Sequence, residues 1–301
     1  MSPALSVVVC FFDMQREAPR TLHSLSAAYQ RDIRPEDYEV IAVENGSRAR
    51  LPQGLVESFG DNFRYSYFDT ASPSPVGAIN HAVAMTSAEL VAICIDGARI
   101  LSPGVLAWML RARRLWPEPF IGTLSFHLGP DAQGRSMLTG YDQAAEDELL
   151  ASVPWHDDGY RLFEISAFAE SSRFGWFEPL IESNCYALRR ALFDELGGLD
   201  AKFQAPGGGL VNHDLLRRAC VRPEVEPIVL LGEGTFHQFH GGVATNARAD
   251  TWPEFHADYV RIRGGSYEPV ARRPTLVGHV PPATLRFVAR SLEAALEVAR
   301  P

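Results

Sequence analysis

Short valine- and isoleucine-rich runs, separated by stretches of helical periodicity, constrain this chain more than any other feature. Leu5–Phe12 reads LSVVVCFF, Tyr38–Val43 reads YEVIAV, and Leu90–Ile95 reads LVAICI, with a further run at Phe63–Phe68. The valine-rich runs are short and continuously apolar rather than alternating, the pattern of strands buried on both faces of a parallel sheet. Between them, Pro19 opens a helix that carries Leu22, Leu25 and Tyr29 on one face. Gly77–Ser87 turns Ile79 and Val83 inward, and Pro103–Leu115 reads as another helix. Strands and helices alternating at these distances predict an α/β fold with a Rossmann-like, mostly parallel central sheet flanked by helices. Ligands of such sheets bind beyond the carboxyl ends of the strands. The segments after Phe12, Val43 and Ile95 are therefore the expected edge of the site.

The second half is less regular. Phe120–His127 reads as a strand, and the polar, acidic stretch Asp131–Asp158 as an excursion or lid. Ser183–Leu188 reads as a strand running into a helix at Arg189–Leu196, which Gly197-Gly198 ends. Three glycines, Gly207 to Gly209, precede a helix at Asp214–Cys220, and Pro227–Leu231 is a strand followed by GEGTFHQFHGG. In the last segment, Pro282–Arg300, residues Leu285, Val288, Leu292 and Leu296 recur at helical spacing and predict a C-terminal helical extension.

Composition removes several classes of function. A net charge of -9 opposes a phosphate backbone at long range, so nucleic acid is not the expected partner. Cys10, Cys94, Cys185 and Cys220 form no CxxC pair, which fits free thiols in a reducing compartment. The apolar run at the N-terminus lacks a preceding basic region and does not read as a signal peptide. No apolar stretch approaches the ~20 residues that a membrane helix needs. A cytoplasmic protein without a transmembrane segment is expected.

Several residues carry candidate chemistry, each with a structural alternative. Asp96 follows a buried strand, where a carboxylate can hold a divalent cation against a diphosphate or simply close a turn. Glu44 has the same position one strand earlier, where an acid can contact a ribose or base edge, although Asn45-Gly46 is itself a strong turn signal. Phe12 can stack on a base or fill the core. His237 and His240 form an HxxH pair suited to a borderline metal, or to packing a loop. His213-Asp214 follows the triple glycine, where an acid also favours the helix dipole.

In order along the chain stand SVVVCFFD, VIAVENGS, GAINHAVAMTSAELVAICIDGARILSP, ESNCYALRRALFDELGGLDAKF and NHDLLRRA. Over roughly residues 5–245 this sequence resembles the GT-A fold glycosyltransferases of family 2, most specifically in CYALRRALFDELGGLDAKF. The resemblance implies a GT-A domain over residues 1–245, with a nucleotide-sugar half to about 100 and an acceptor half from 101, followed by the extension at 246–301. It implies hexosyl transfer from a nucleoside-diphosphate sugar to a saccharide or other acceptor hydroxyl, with inversion and a Mn2+ or Mg2+ cofactor. It assigns Phe12, Glu44, Asn80 and Asp96 to the donor. Asp96 matches the first acid of the metal-binding DxD, and His237 or His240 a later metal-ligating histidine.

The sequence departs from the family pattern at three places. The DxD reads Asp96-Gly97-Ala98, without its second acid. Val211-Asn212 stands where Glu-Asp is expected ahead of Arg218, and Ile79 replaces an arginine beside Asn80. Asp214 is then the expected general base, with His213 in reserve. The alternatives are a nucleotide-sugar-binding protein without turnover and a nucleotidyltransferase. The latter class usually carries a glycine-rich basic loop after the first strand, and FFDMQREAP here contains no glycine.

Overall fold

The computed structural model describes residues 2–240 and 251–299. Its strands are β1 (Leu5–Phe11), β2 (Tyr38–Asn45), β3 (Phe63–Phe68), β4 (Leu90–Cys94), β5 (Arg99–Leu101), β6 (Pro119–Leu128), β7 (Ser166–Phe168), β8 (Cys185–Arg189), β9 (Glu226–His237) and β10 (Thr275–Gly278). The helices are α1 (Ala18–Leu25), α2 (Gln53–Glu57), α3 (Val76–Ala84), α4 (Val105–Leu115), α5 (Gln133–Ser136), α6 (Gln143–Ala151), α7 (Arg190–Glu195), α8 (Val211–Cys220), α9 (Trp252–Arg263) and α10 (Leu285–Val298).

One sheet runs through the molecule in the order β10-β9-β6-β8-β4-β1-β2-β3, with β5 on β9 and β7 on β6. The pairs β1–β2, β1–β4, β2–β3, β6–β9 and β9–β10 are parallel, whereas β8 is antiparallel to both of its neighbours. Every residue of β1 is buried, as continuous apolarity predicted. Successive residues enter opposite cores. Val8, Cys10, Ile41, Val43 and Ile93 join one cluster, and Val7, Val9, Phe11, Val40, Ala42 and Cys94 the other.

The second half holds more strand than its sequence indicates. β5, β7 and β10 are three or four residues long, too short to show a period. β9 continues past Leu231 to His237, so the first histidine of HxxH ends a strand instead of standing in a loop. The triple glycine adopts positive φ throughout, and α8 starts at Val211, earlier than expected. The C-terminal segment holds helices α9 and α10, and also β10, which extends the main sheet. Residues 241–250, including Gly241, Gly242 and the expected domain boundary at 245, lie outside the described residues.

Asp214 fastens α9 to this framework. It is buried, and Arg263, the last residue of α9, reaches it with Nε to Oδ1 and Nη2 to Oδ2, both at 2.7 Å. Arg218 Nε donates to Oδ2 at 2.7 Å, and the same guanidinium donates to the carbonyls of Leu196 and Gly198 after α7. Removing one partner of a buried pair strands the other's charge. Asp214→Ala is therefore expected to cost about 3–5 kcal/mol in urea unfolding; a stability equal to wild type would show that the clamp contributes little.

A second buried acid, Glu233 on β9, accepts hydrogen bonds from Tyr160 Oη at 2.6 Å, from Gly104 N at 3.1 Å and from Ser102 Oγ. Burial pushes its carboxyl from 4.5 up to about 7, against these hydrogen bonds. The folded state thus holds the proton more tightly than the unfolded chain. The stability so gained is complete below pH 4.5 and is lost as pH rises to about 7. The loss is on the order of 3 kcal/mol. Glu233→Gln is expected to flatten this part of the pH–stability curve; an unchanged slope between pH 4.5 and 7 would assign it to other groups.

Candidate active and metal site

A cleft of about 1020 Å³ lies over the carboxyl ends of the central strands. Phe12 leaves β1 with 48% of its surface exposed and stands in the cleft wall. Asn45 ends β2 and also faces the cleft. Asp96 follows β4 by two residues, in a turn that packs on β1. A Cβ on Gly97 would lie 2.3 Å from the Phe11 ring and 2.7 Å from the Cys10 carbonyl, so this close approach requires glycine. Thr21 Oγ1 donates to the Gly97 carbonyl at 2.6 Å, and Ala98 N donates to Asp96 Oδ1 at 3.0 Å. The opposite wall comes from the second half of the chain, with Ser125 and His127 on β6, Arg135 on α5, and Asn212 and His213 in the first turn of α8.

Asp96, His237 and His240 converge, with one ligand atom from each lying within 4.8 Å of the others. His237 Nε2 is 3.1 Å from Asp96 Oδ2 and 3.1 Å from His240 Nε2, and His240 Nε2 is 3.7 Å from Asp96 Oδ1. Gln133, itself fully buried, accepts from His237 Nδ1 at 2.7 Å. That hydrogen bond places the His237 proton on Nδ1 and leaves the Nε2 lone pair toward Asp96, the usual orientation of a ligating imidazole. Burial opposes the charge on Asp96, but His240 and His237 outweigh it and hold the carboxyl well below its usual range. Burial lowers His237 to about 4 despite Asp96, whereas Asp96 prevails at His240 and raises it. A carboxylate with two imidazoles suits a borderline divalent ion such as Mn2+ better than Mg2+, which prefers an all-oxygen shell.

The other expected site residues are placed differently. Glu44 is fully buried on the face of β2 turned away from the cleft. Its Oε2 accepts from Leu51 N at 3.0 Å and Tyr65 Oη at 2.5 Å. Strand alternation gives its place in the cleft to Asn45, whose buried Oδ1 has no hydrogen-bond partner among the described residues. Asn80 brackets the backbone of Leu199, donating to its carbonyl at 2.8 Å and accepting from its N–H at 3.1 Å. Asp214 does not line the cleft, because both of its oxygens are taken by Arg218 and Arg263. His213 does line it; burial lowers its pKa, opposed by Glu182 and the Ile181 backbone, and its Nδ1 has no hydrogen-bond partner among the described residues. Sequence reading also missed Gln133, which orients a histidine 104 residues away, and Arg99, whose Nε lies 3.5 Å from Asp96 Oδ2.

Residues 6–112, from β1 into α4, match the family model described as Glycosyl transferase family 2. No curated protein matches the chain. Among solved structures, S. aureus TarS 1-349 is similar over 100% of this chain and 73% of its own, at 15% identity and a TM-score of 0.54. The same protein solved with UDP is similar over 88% of this chain and 74% of its own, and with UDP-GlcNAc over 89% and 68%. Both comparisons give 15% identity and a TM-score of 0.53. The chain thus has the GT-A fold, and its first part, residues 6–112, matches glycosyl transferase family 2.

Proposed function

We propose that this chain transfers a sugar, with inversion, from a nucleoside-diphosphate sugar to an acceptor hydroxyl. The reading rests on one observation. Asp96, His237 and His240 converge at the carboxyl edge of the sheet; Asp96 and His240 line the cleft together with Phe12 and Asn45, and His237 lies fully buried behind them. The family match over the nucleotide half supports this reading, as do the complexes of TarS with UDP and UDP-GlcNAc. Asp96, His237 and His240 would hold a divalent ion, Mn2+ before Mg2+, which neutralises charge on the diphosphate. Phe12 offers its exposed ring to the base, and Asn45 its free Oδ1. The structure describes no helix long and apolar enough to cross a membrane. With four buried free thiols, the chain fits a cytoplasmic location.

Inversion by single displacement needs a group that takes the acceptor's proton as the hydroxyl attacks. With Asp214 clamped and Asn212 unable to serve, we assign this role to His213. It lines the cleft, and burial favours its neutral form, which can accept a proton.

Release of nucleoside diphosphate from a sugar donor tests the reaction. Release of pyrophosphate would indicate nucleotidyl transfer, and release of neither would indicate binding without turnover. His213→Gln is expected to lower kcat by about 10²–10⁴-fold with nucleotide affinity kept; retention of more than roughly a tenth of the turnover would remove His213 from the role. His237→Ala with His240→Ala is expected to abolish Mn2+ binding, measured by calorimetric titration of Mn2+ in the presence of nucleotide. Unchanged Mn2+ binding in that double variant would place the ion elsewhere.

A further inference from the structure

Beside the Asp96, His237 and His240 group, the cleft contains a second cluster that the reaction outlined above does not use. Arg99, 4% exposed, carries a guanidinium with five N–H donors, and among the described residues one finds a good acceptor: Nη1 donates to Ser125 Oγ at 2.6 Å. Nε is buried without a hydrogen bond, 3.5 Å from Asp96 Oδ2, and Nη2 makes none to the described residues. Ser125 accepts from Arg99 and keeps its own hydroxyl proton for another partner. His127 accepts at Nδ1 from Gln133 N at 2.7 Å, so its proton sits on Nε2. The side-chain amide nitrogen of Gln133 is likewise buried without a partner among the described residues. Arg99, Ser125 and His127 all line the cleft.

This lining is rich in donors and poor in acceptors. The acids near it are engaged: Asp96 by the two histidines and Ala98 N, and Glu170 by Arg135 at 3.1 Å. Arg135 is held in turn by a two-pronged contact with Asp131. Among the described residues that line the cleft, Arg99 is the buried cation with unmatched donors, and Asp96, 3.5 Å from its Nε, is the acid that faces it. Leaving the buried Nε unmatched is costly, so the arrangement suits a ligand that supplies oxygens and negative charge.

We propose that Arg99, Ser125 and His127 form an oxyanion-binding pocket for a phosphate-type group. Resting on the transfer reading above, two sources supply that chemistry: the donor's own diphosphate, or an anionic group on the acceptor. Calorimetric titrations of the whole chain distinguish them. In EDTA, inorganic phosphate is expected to bind wild type, and Arg99→Gln to weaken it roughly 10- to 100-fold, the effect of losing charge-assisted hydrogen bonds. Arg99→Lys, which keeps the charge but not the fork, should retain part of the affinity. Ser125→Ala should weaken phosphate about fivefold and keeps the proposal testable if Arg99→Gln does not fold, as judged by thermal melting.

The source is read by repeating the phosphate titration with UDP or GDP and Mn2+ already saturating. Competition, together with weaker metal-free binding of UDP or GDP by Arg99→Gln, identifies the diphosphate. Undiminished phosphate binding identifies a separate anionic group on the acceptor. Phosphate affinity equal in wild type, Arg99→Gln and Ser125→Ala, or no phosphate binding to wild type at millimolar concentration, overturns the pocket. Failure of UDP and GDP to bind with Mn2+ while phosphate still depends on Arg99 would instead count against sugar transfer and leave the pocket standing.

Discussion

Burial of both faces of β1, β2 and β4 is the constraint on which the rest depends. A strand covered on one side only could slip or tilt at modest cost; one that sends alternate residues into two separate cores cannot shift by a residue without exchanging them all. Val7, Val9 and Phe11 occupy one core and Val8 and Cys10 the other, and the neighbouring strands keep the same division. Their carboxyl ends are therefore fixed in depth as well as position. The turn at Asp96-Gly97 is then pressed directly against Phe11 and the Cys10 carbonyl, with no room for a side chain between. The carboxylate of Asp96 is consequently placed by packing more than by its own hydrogen bonds.

The same alternation explains what the sequence revealed and what it hid. The runs that became β1, β2 and β4 were legible because two-sided burial demands continuous apolarity. The face of each terminal residue was not, because it depends on parity counted from inside the strand. Glu44 and Asn45 differ by one position and lie on opposite faces. The chemically richer residue drew attention, while its neighbour faces the cleft. Asp214 was misplaced for another reason. Its position at the start of a helix is visible locally, but the arginine that claims both of its oxygens is 49 residues away, on a helix that only the fold brings near. His237 and His240 were legible as a pair, yet the strand that presents His237 contains four polar or glycine residues, Gly232 to Thr235, after Leu231, and its apolar pattern stops there.

Electrostatically, the cluster differs from one built on two carboxylates. Replacing the second acid by imidazole nitrogen leaves one less negative charge to offset a divalent ion, and Arg99 adds a positive charge nearby. At an effective dielectric near 20, unit charges 4 Å apart interact by about 4 kcal/mol, so these differences are large on the scale of ligand binding. Such a group should hold a bare cation weakly and a cation with phosphate oxygens much better, since the anion supplies the charge that the protein withholds. Ion and phosphate would then bind as mutually supporting partners, each raising the other's affinity.

The acidic excursion after β6 belongs to this site as a brace more than as a cover. Gln133 on α5 fixes the ring of His237. Glu146 on α6, fully buried, accepts from the backbone N–H of Phe239 at 2.7 Å, and Arg16 bridges Glu146 to the Phe239 carbonyl at 3.2 Å. Burial raises Glu146 above the ordinary carboxylate range even with Arg16 and Arg20 beside it. That cost is accepted in order to pin the residue immediately before His240. The two histidines are thus held by different means, His237 by strand pairing and an amide, His240 through a buried ion pair reaching back to the segment after β1. Because Arg16 precedes α1 and Glu146 lies 130 residues later, the brace joins the segment after β1 to the excursion after β6. An excursion that looks peripheral in sequence, polar and without strand periodicity, sends Leu150 and Trp155 into the apolar core and turns the buried polar side chains of Gln133 and Glu146 toward the histidines.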